Sequence, residues 1–270
     1  MKFLVYFFVF SFGLIVGSFL NCVIYRLSKK ESFLKNRSYC PRCKHTLKWQ
    51  DLIPILSFLI LKGKCRYCKK SISPQCPLVE FATGSLFIII IFQNLDSLFS
   101  TPFIFWFLNI CFLFLVSSFL IIIFVYDLKH YIIPDRVIYP AILASCVWYL
   151  ISSIFFSSHT KYYILNTIYS GFGAAFFFLV IVLLTREKGM GMGDVKLAFF
   201  MGLLLGFPNI LVALFLSFFL GAVIGIILII TGKKTFKSEV PFGPFLVTGT
   251  FLALFFGERI ISFYFRVLLL

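Results

Sequence analysis

The sequence predicts an all-α polytopic membrane protein of about eight transmembrane helices, with a small cytoplasmic zinc-binding module after the first helix. Three observations carry this prediction. Hydrophobic residues make up 61% of the 270 and charged residues only 13%, more apolar surface than a soluble domain of this length can bury. The apolar residues fall in runs of about 20, the length a helix needs to cross a bilayer. The basic residues between those runs crowd onto one side. The sequence shows no strand alternation of the membrane β-barrel kind.

Taken in order, the spans fall at about 3–25, 78–93, 102–126, 136–156, 163–184, 195–206, 209–231 and 242–257. Residues 26–76 hold 13 Lys and Arg, and the loops 127–136, 185–196 and 232–240 hold 2, 3 and 3. The opposite side has only Lys2, Lys161, Arg259 and Arg266, so 21 of the 25 lie on one face. The positive-inside rule then puts the N-terminus outside and the basic loops in the cytoplasm, with Asp127 and Asp194 among them. Eight spans return the C-terminus to the outside. Topology accounts for the net charge of +15, with added attraction to anionic lipid headgroups, and a nucleic-acid partner is not required.

This divides the chain into a first transmembrane helix (1–25), a cytoplasmic module (26–76) and a membrane core of about seven helices (77–270). The first helix reads as uncleaved, since Lys2 alone precedes it and no small-residue cleavage site follows. Gly13, Gly17 and Ser18 form one small face for close helix packing, and Asn21 reads as a polar residue bonded to a neighbouring helix.

The module carries Cys40-Pro41-Arg42-Cys43 and Cys65-Arg66-Tyr67-Cys68, two Cys-x-x-Cys knuckles separated by 21 residues. This spacing suits one tetrahedral zinc ion, and nearby Lys and Arg offset the charge of four thiolates. Disulfide pairing is the competing reading, disfavoured in a reducing cytoplasmic loop. The zinc would be structural, because all four positions are filled, and would stabilise a loop too short to build its own core. Cys22, Cys76, Cys111 and Cys146 lack such spacing and read as small buried hydrophobes. Between the knuckles, 52–61 is apolar but too short to span, so it packs on the module or lies in the membrane interface.

Two acids stand out. Asp127 ends a long apolar run, where a negative charge opposes the helix dipole. Asp194 follows Gly189-Met190-Gly191-Met192-Gly193, whose glycines permit a tight turn and close approach by a peptide backbone. An ionisable residue at a membrane boundary is a functional candidate. Two carboxylates on one face suggest an aspartyl dyad, one charged to activate water and one neutral to polarise a carbonyl. Asp135 follows Pro134 and can cap the next helix. His130 reads as a solvated loop residue. Glu80 is either a favourable charge at a helix N-terminus or a functional group. Pro241-Phe242-Gly243-Pro244 either breaks a helix or lines the site.

Together these residues resemble the prepilin leader peptidases, membrane aspartyl proteases of the Gly-x-Gly-Asp type. The resemblance runs through Gly17–Leu27, the paired knuckles, Pro77-Leu78-Val79-Glu80, Asp127 with Pro134-Asp135, and Gly191–Lys196. It implies that Asp127 and Asp194 are the catalytic pair. It also implies cleavage of a short basic leader from type IV prepilin or pseudopilin precursors after a glycine, at the cytoplasmic face of a bacterial inner membrane. A second implied activity is N-methylation of the new N-terminal residue with S-adenosylmethionine as donor, to which Gly63 and the cysteine module are linked. Oligomeric state is not readable from the sequence. The alternative class is an ion- or proton-coupled transporter with a paired-carboxylate site, and a third is a scaffold that docks a partner through the zinc module.

Overall fold

The structure is a computed structural model of the chain that describes residues 2–32, 37–99, 101–155, 160–186, 189–235 and 240–268. Its helices are α1 (Lys2–Lys29), α2 (Leu56–Ile60), α3 (Gln75–Asn94), α4 (Phe103–His130), α5 (Asp135–Phe155), α6 (Thr160–Thr185), α7 (Met192–Leu205), α8 (Asn209–Ile230) and α9 (Gly243–Leu268). Among the described residues there is no strand, only two isolated antiparallel bridges, Tyr39 with Thr46 and Lys64 with Ser71.

Each of the eight runs read from the sequence is helical over its described residues, and among those residues seven helices are long and apolar enough to cross a membrane. The exception is α7. Its 14 residues rise about 21 Å, short of the ~30 Å hydrocarbon layer. Protein surrounds it instead of lipid: Leu197, Ala198, Phe200, Met201 and Leu203 are buried, and α5, α6, α8 and α9 all touch it. Two other helices outrun the apolar stretches that announced them. α1 continues through Arg26 and Lys29, cations that suit a helix C-terminus. α9 continues past Glu258 and Arg259 to Leu268.

The chain forms two compact units, residues 1–122 and 123–270, with the boundary inside α4. In the first unit α1 packs closely on α3. A Cβ on Gly13 would lie 2.6 Å from the Gly84 Cα, and one on Gly17 would lie 2.7 Å from the Glu80 Cα. The small face read from the sequence is therefore an interhelical contact that admits no side chain. Asn21 donates across the same interface to the Cys76 carbonyl at 3.0 Å. Phe87 and Phe114 stack at 3.9 Å, joining α3 to the first part of α4.

In the second unit α7 lies against α6 at Gly202, whose Cβ would meet the Ser170 carbonyl at 2.5 Å. The Tyr149 hydroxyl of α5 donates to the Leu203 carbonyl of α7. These contacts fix the depth of α7 and so the position of its first turn. The four isolated cysteines depart from expectation. Cys111 and Cys146 are exposed, and Cys22 and Cys76 are half-buried. On a membrane helix the apolar surroundings of a small side chain need not be protein, which the burial reading did not allow for.

Candidate active site and metal centre

Asp127 lies in the last turn of α4 and is buried. The helix dipole opposes a carboxylate there. The compensation comes from α9. The Gly243 amide, at the first residue of α9, donates to Asp127 Oδ2 at 3.0 Å. The positive end of one helix thus faces the acid at the negative end of another. A Cβ at Gly243 would sit 2.6 Å from the same oxygen. Of the two readings of Pro241-Phe242-Gly243-Pro244, the structure supports the one that lines the site.

Asp194 is in the first turn of α7, where an acid suits the dipole. Its Oδ2 accepts the Gly191 N–H at 3.1 Å, closing the turn. Burial pushes its carboxyl up to about 6; the Gly191 N–H draws it back and the charge of Asp127 raises it further. Of the three glycines before it, Gly193 has the clearest steric need, because a Cβ there would be 3.0 Å from the Ile133 side chain.

Both acids line one cavity of about 440 Å³, together with Tyr131, Ile133, Asp135, Gly191, Lys196 and Phe242. Asp135 is not a helix cap among the described contacts. Its Oδ1 accepts Lys196 Nζ at 2.6 Å, and the same ammonium sits 5.1 Å from the centre of the Tyr139 ring. The sequence hid this pairing because the partners are 61 residues apart. His130 is exposed at the end of α4 with its ring 4.5 Å from Tyr126, as a solvated residue would be. Two carboxylates and a third acid paired with a lysine, in a cavity lined by helix ends, can activate water beside a carbonyl.

The second site lies in the first unit. The sulfurs of Cys40, Cys43, Cys65 and Cys68 all fall within 4.8 Å of one another. Cys40 and Cys68 are 3.9 Å apart, against about 3.8 Å for the edge of a tetrahedron with Zn–S bonds near 2.3 Å. The two knuckles have one design. Cys40 N–H donates to the His45 carbonyl and Lys44 N–H to the Cys40 carbonyl; Cys65 N–H donates to Lys70 and Lys69 N–H to Cys65. Lys44 and Lys69 share a left-handed backbone, at φ 61° and 58°. Burial opposes the Cys40 thiolate, but backbone N–H groups of Cys43 and Arg42 outweigh it and bring the thiol down to about 7. Four sulfurs in this geometry fit zinc.

Gly63 is explained by its backbone. Its φ is +68°, and a Cβ would meet the Phe58 ring at 3.1 Å. It carries the turn between α2 and the second knuckle, with its N–H on the Phe58 carbonyl and its carbonyl taking the Ile72 N–H. Glu80 is not in the first turn of α3. It is buried, and it accepts the Ile55 N–H at 2.7 Å, a bond to the module that no local sequence signal announces.

Comparison with known proteins covers most of the chain. The family profile described as bacterial peptidase A24 N-terminal domain matches residues 11–94, and the one described as the type IV leader peptidase family matches residues 113–226. A Bacillus subtilis protein named prepilin leader peptidase/N-methyltransferase is 34% identical over 264 residues, covering 97% of this chain and 98% of its own. Proteins of the same name from Aeromonas hydrophila and Legionella pneumophila are each 30% identical, covering 95% and 94% of this chain and 92% of their own lengths. No solved structure matches.

Proposed function

The chain belongs to the type IV leader peptidase family, and from that premise we propose that Asp127 and Asp194 are the acids that hydrolyse the leader peptide bond of a type IV prepilin-like precursor. The protein is a multi-pass membrane enzyme that is both peptidase and N-methyltransferase. The observation that carries the assignment is that both acids line one cavity and are held there by helix ends.

The charged member of the pair takes a proton from water while the protonated member hydrogen-bonds the scissile carbonyl. The water oxygen bonds to the carbonyl carbon, and the C–N bond then breaks as the leaving amine takes up a proton. Because two neighbouring carboxylates resist a second negative charge, the dyad carries one proton at work. Lys196 keeps Asp135 paired and out of this exchange.

The new N-terminal α-amine is then the methyl acceptor. S-adenosylmethionine, when bound, supplies an electrophilic methyl group. The zinc module and Gly63 serve this second step, and zinc holds the knuckles in shape. The charge distribution supports a cytoplasmic-facing site with an outside N-terminus. Reporter fusions at residues 45 and 160 should fall on opposite sides of the membrane, and the same side for both would overturn that orientation. Incubating the purified protein with a prepilin tests the function itself: a shortened product is expected, and an unchanged precursor would contradict it.

A further inference from the structure

The apolar stretch between the knuckles is left unexplained by peptidase or methyl-transfer chemistry. Trp49 is 73% exposed, Leu59 62% and Ile60 75%, and Leu52 and Leu56 are exposed beside them. Exposed lysines flank the stretch at Lys48, Lys62 and Lys64. A face this apolar, rimmed by cations, is what an interfacial segment presents to a membrane with anionic headgroups.

Its depth follows from one hydrogen bond. The 20 residues of α3 span about 30 Å, the thickness of the hydrocarbon layer, so α3 begins near the boundary. Glu80 is the sixth residue of α3, roughly 7 Å in from its start. Its carboxylate accepts the Ile55 N–H at 2.7 Å, which draws the stretch down alongside α3. On either side of Glu80, Leu78 and Phe81 are themselves exposed apolar residues of this membrane helix. The backbone pays for the tether. Ile55 has φ 57° and ψ −51°, and the Leu56 N–H reaches the Pro54 carbonyl, a tight γ-turn that a β-branched residue rarely adopts.

We infer that residues 49–61 are an interfacial anchor: Trp49, Leu52, Leu56, Leu59 and Ile60 enter the headgroup–acyl boundary of the bilayer and hold the zinc module against the membrane surface. The flanking lysines sit at headgroup level. Glu80 fixes the depth of the anchor from within the membrane helix.

The test is tryptophan fluorescence of the full chain in bilayers of phosphatidylethanolamine and phosphatidylglycerol. The signal of the anchor is read as wild type minus Trp49→Phe, and separately as Ile60→Trp minus wild type. Lipids brominated near the headgroup end of the acyl chain should quench most of both signals, and aqueous iodide should quench little. Strong iodide quenching with no loss to brominated lipid would overturn the inference. Protection from both quenchers would also overturn it, since the face would then be covered by protein. Zinc retention in Ile60→Trp checks that the module is intact, and the Trp49 signal reads the unaltered stretch if it is not.

Discussion

Gly243→Ala is the perturbation that most directly probes how the site is held, because it leaves both acids in the sequence. The added Cβ would lie 2.6 Å from Asp127 Oδ2, where ordinary contact begins near 3.4 Å. Either α9 or the carboxylate must therefore yield by about 0.8 Å, a displacement of the order that costs a catalytic arrangement ~10²-fold in rate. The 3.0 Å amide bond to the carboxylate is strained at the same time, and bonds to charged groups are worth about 1.5–3 kcal/mol. Cleavage of a prepilin should thus fall ~10²-fold, while zinc content and methylation of an already cleaved pilin persist. The assay is a cleavage time course in membranes at matched protein levels. A Gly243→Ala enzyme that cleaves at the wild-type rate would refute the reasoning that α9 positions Asp127.

Three further outcomes are expected. Purified protein with its thiols reduced should contain one zinc per chain, lost when Cys40 and Cys65 are replaced by Ser; metal analysis showing none in the wild type would reject the site. Gly63→Ala places a side chain at φ +68° against Phe58, a strain of about 1–3 kcal/mol confined to the module, so methylation should suffer more than cleavage, and equal loss of both would count against the division. Asp194 titrates near 6 in the folded protein, above the ordinary 3.8. Its ionised form is therefore penalised, and the stability this carboxyl lends the fold is greatest when it is protonated and is lost as pH rises through about 6. Asp194→Asn should consequently be no less heat-stable than wild type at neutral pH; a markedly lower melting temperature there would contradict the burial argument.

The sequence made legible whatever depended on local spacing. Each knuckle closes within a few residues, so the cysteine pattern carried its geometry. The small face of α1 repeats every four residues, so Gly13 and Gly17 could be placed on one side before any partner was known. Asp127 was conspicuous because an acid ending an apolar run violates a local rule. What compensates it was hidden, since Gly243 is 116 residues away and acts through a backbone N–H that no side-chain pattern announces. The partner of Asp135 was hidden for the same reason. Its position after Pro134 satisfies the local rule for a cap, and the contact with Lys196 is a product of packing. The length of α7 was readable, but not that protein would enclose it, which is a property of its four neighbours.

The central claim is that Asp127 and Asp194 act as one unit in peptide hydrolysis. Asp127→Asn and Asp194→Asn are nearly isosteric, and an Asn oxygen can still accept the Gly243 or Gly191 N–H, so packing is preserved while proton transfer is lost. The deciding measurement is a prepilin cleavage time course with each single variant, the double variant and Asp135→Asn. Each single variant should lose at least ~10²–10⁴-fold from the acid–base contribution, about as much as the double. Asp135→Asn should lose far less, since its carboxylate is already neutralised by Lys196. Near-normal cleavage by either Asp127→Asn or Asp194→Asn would contradict the account.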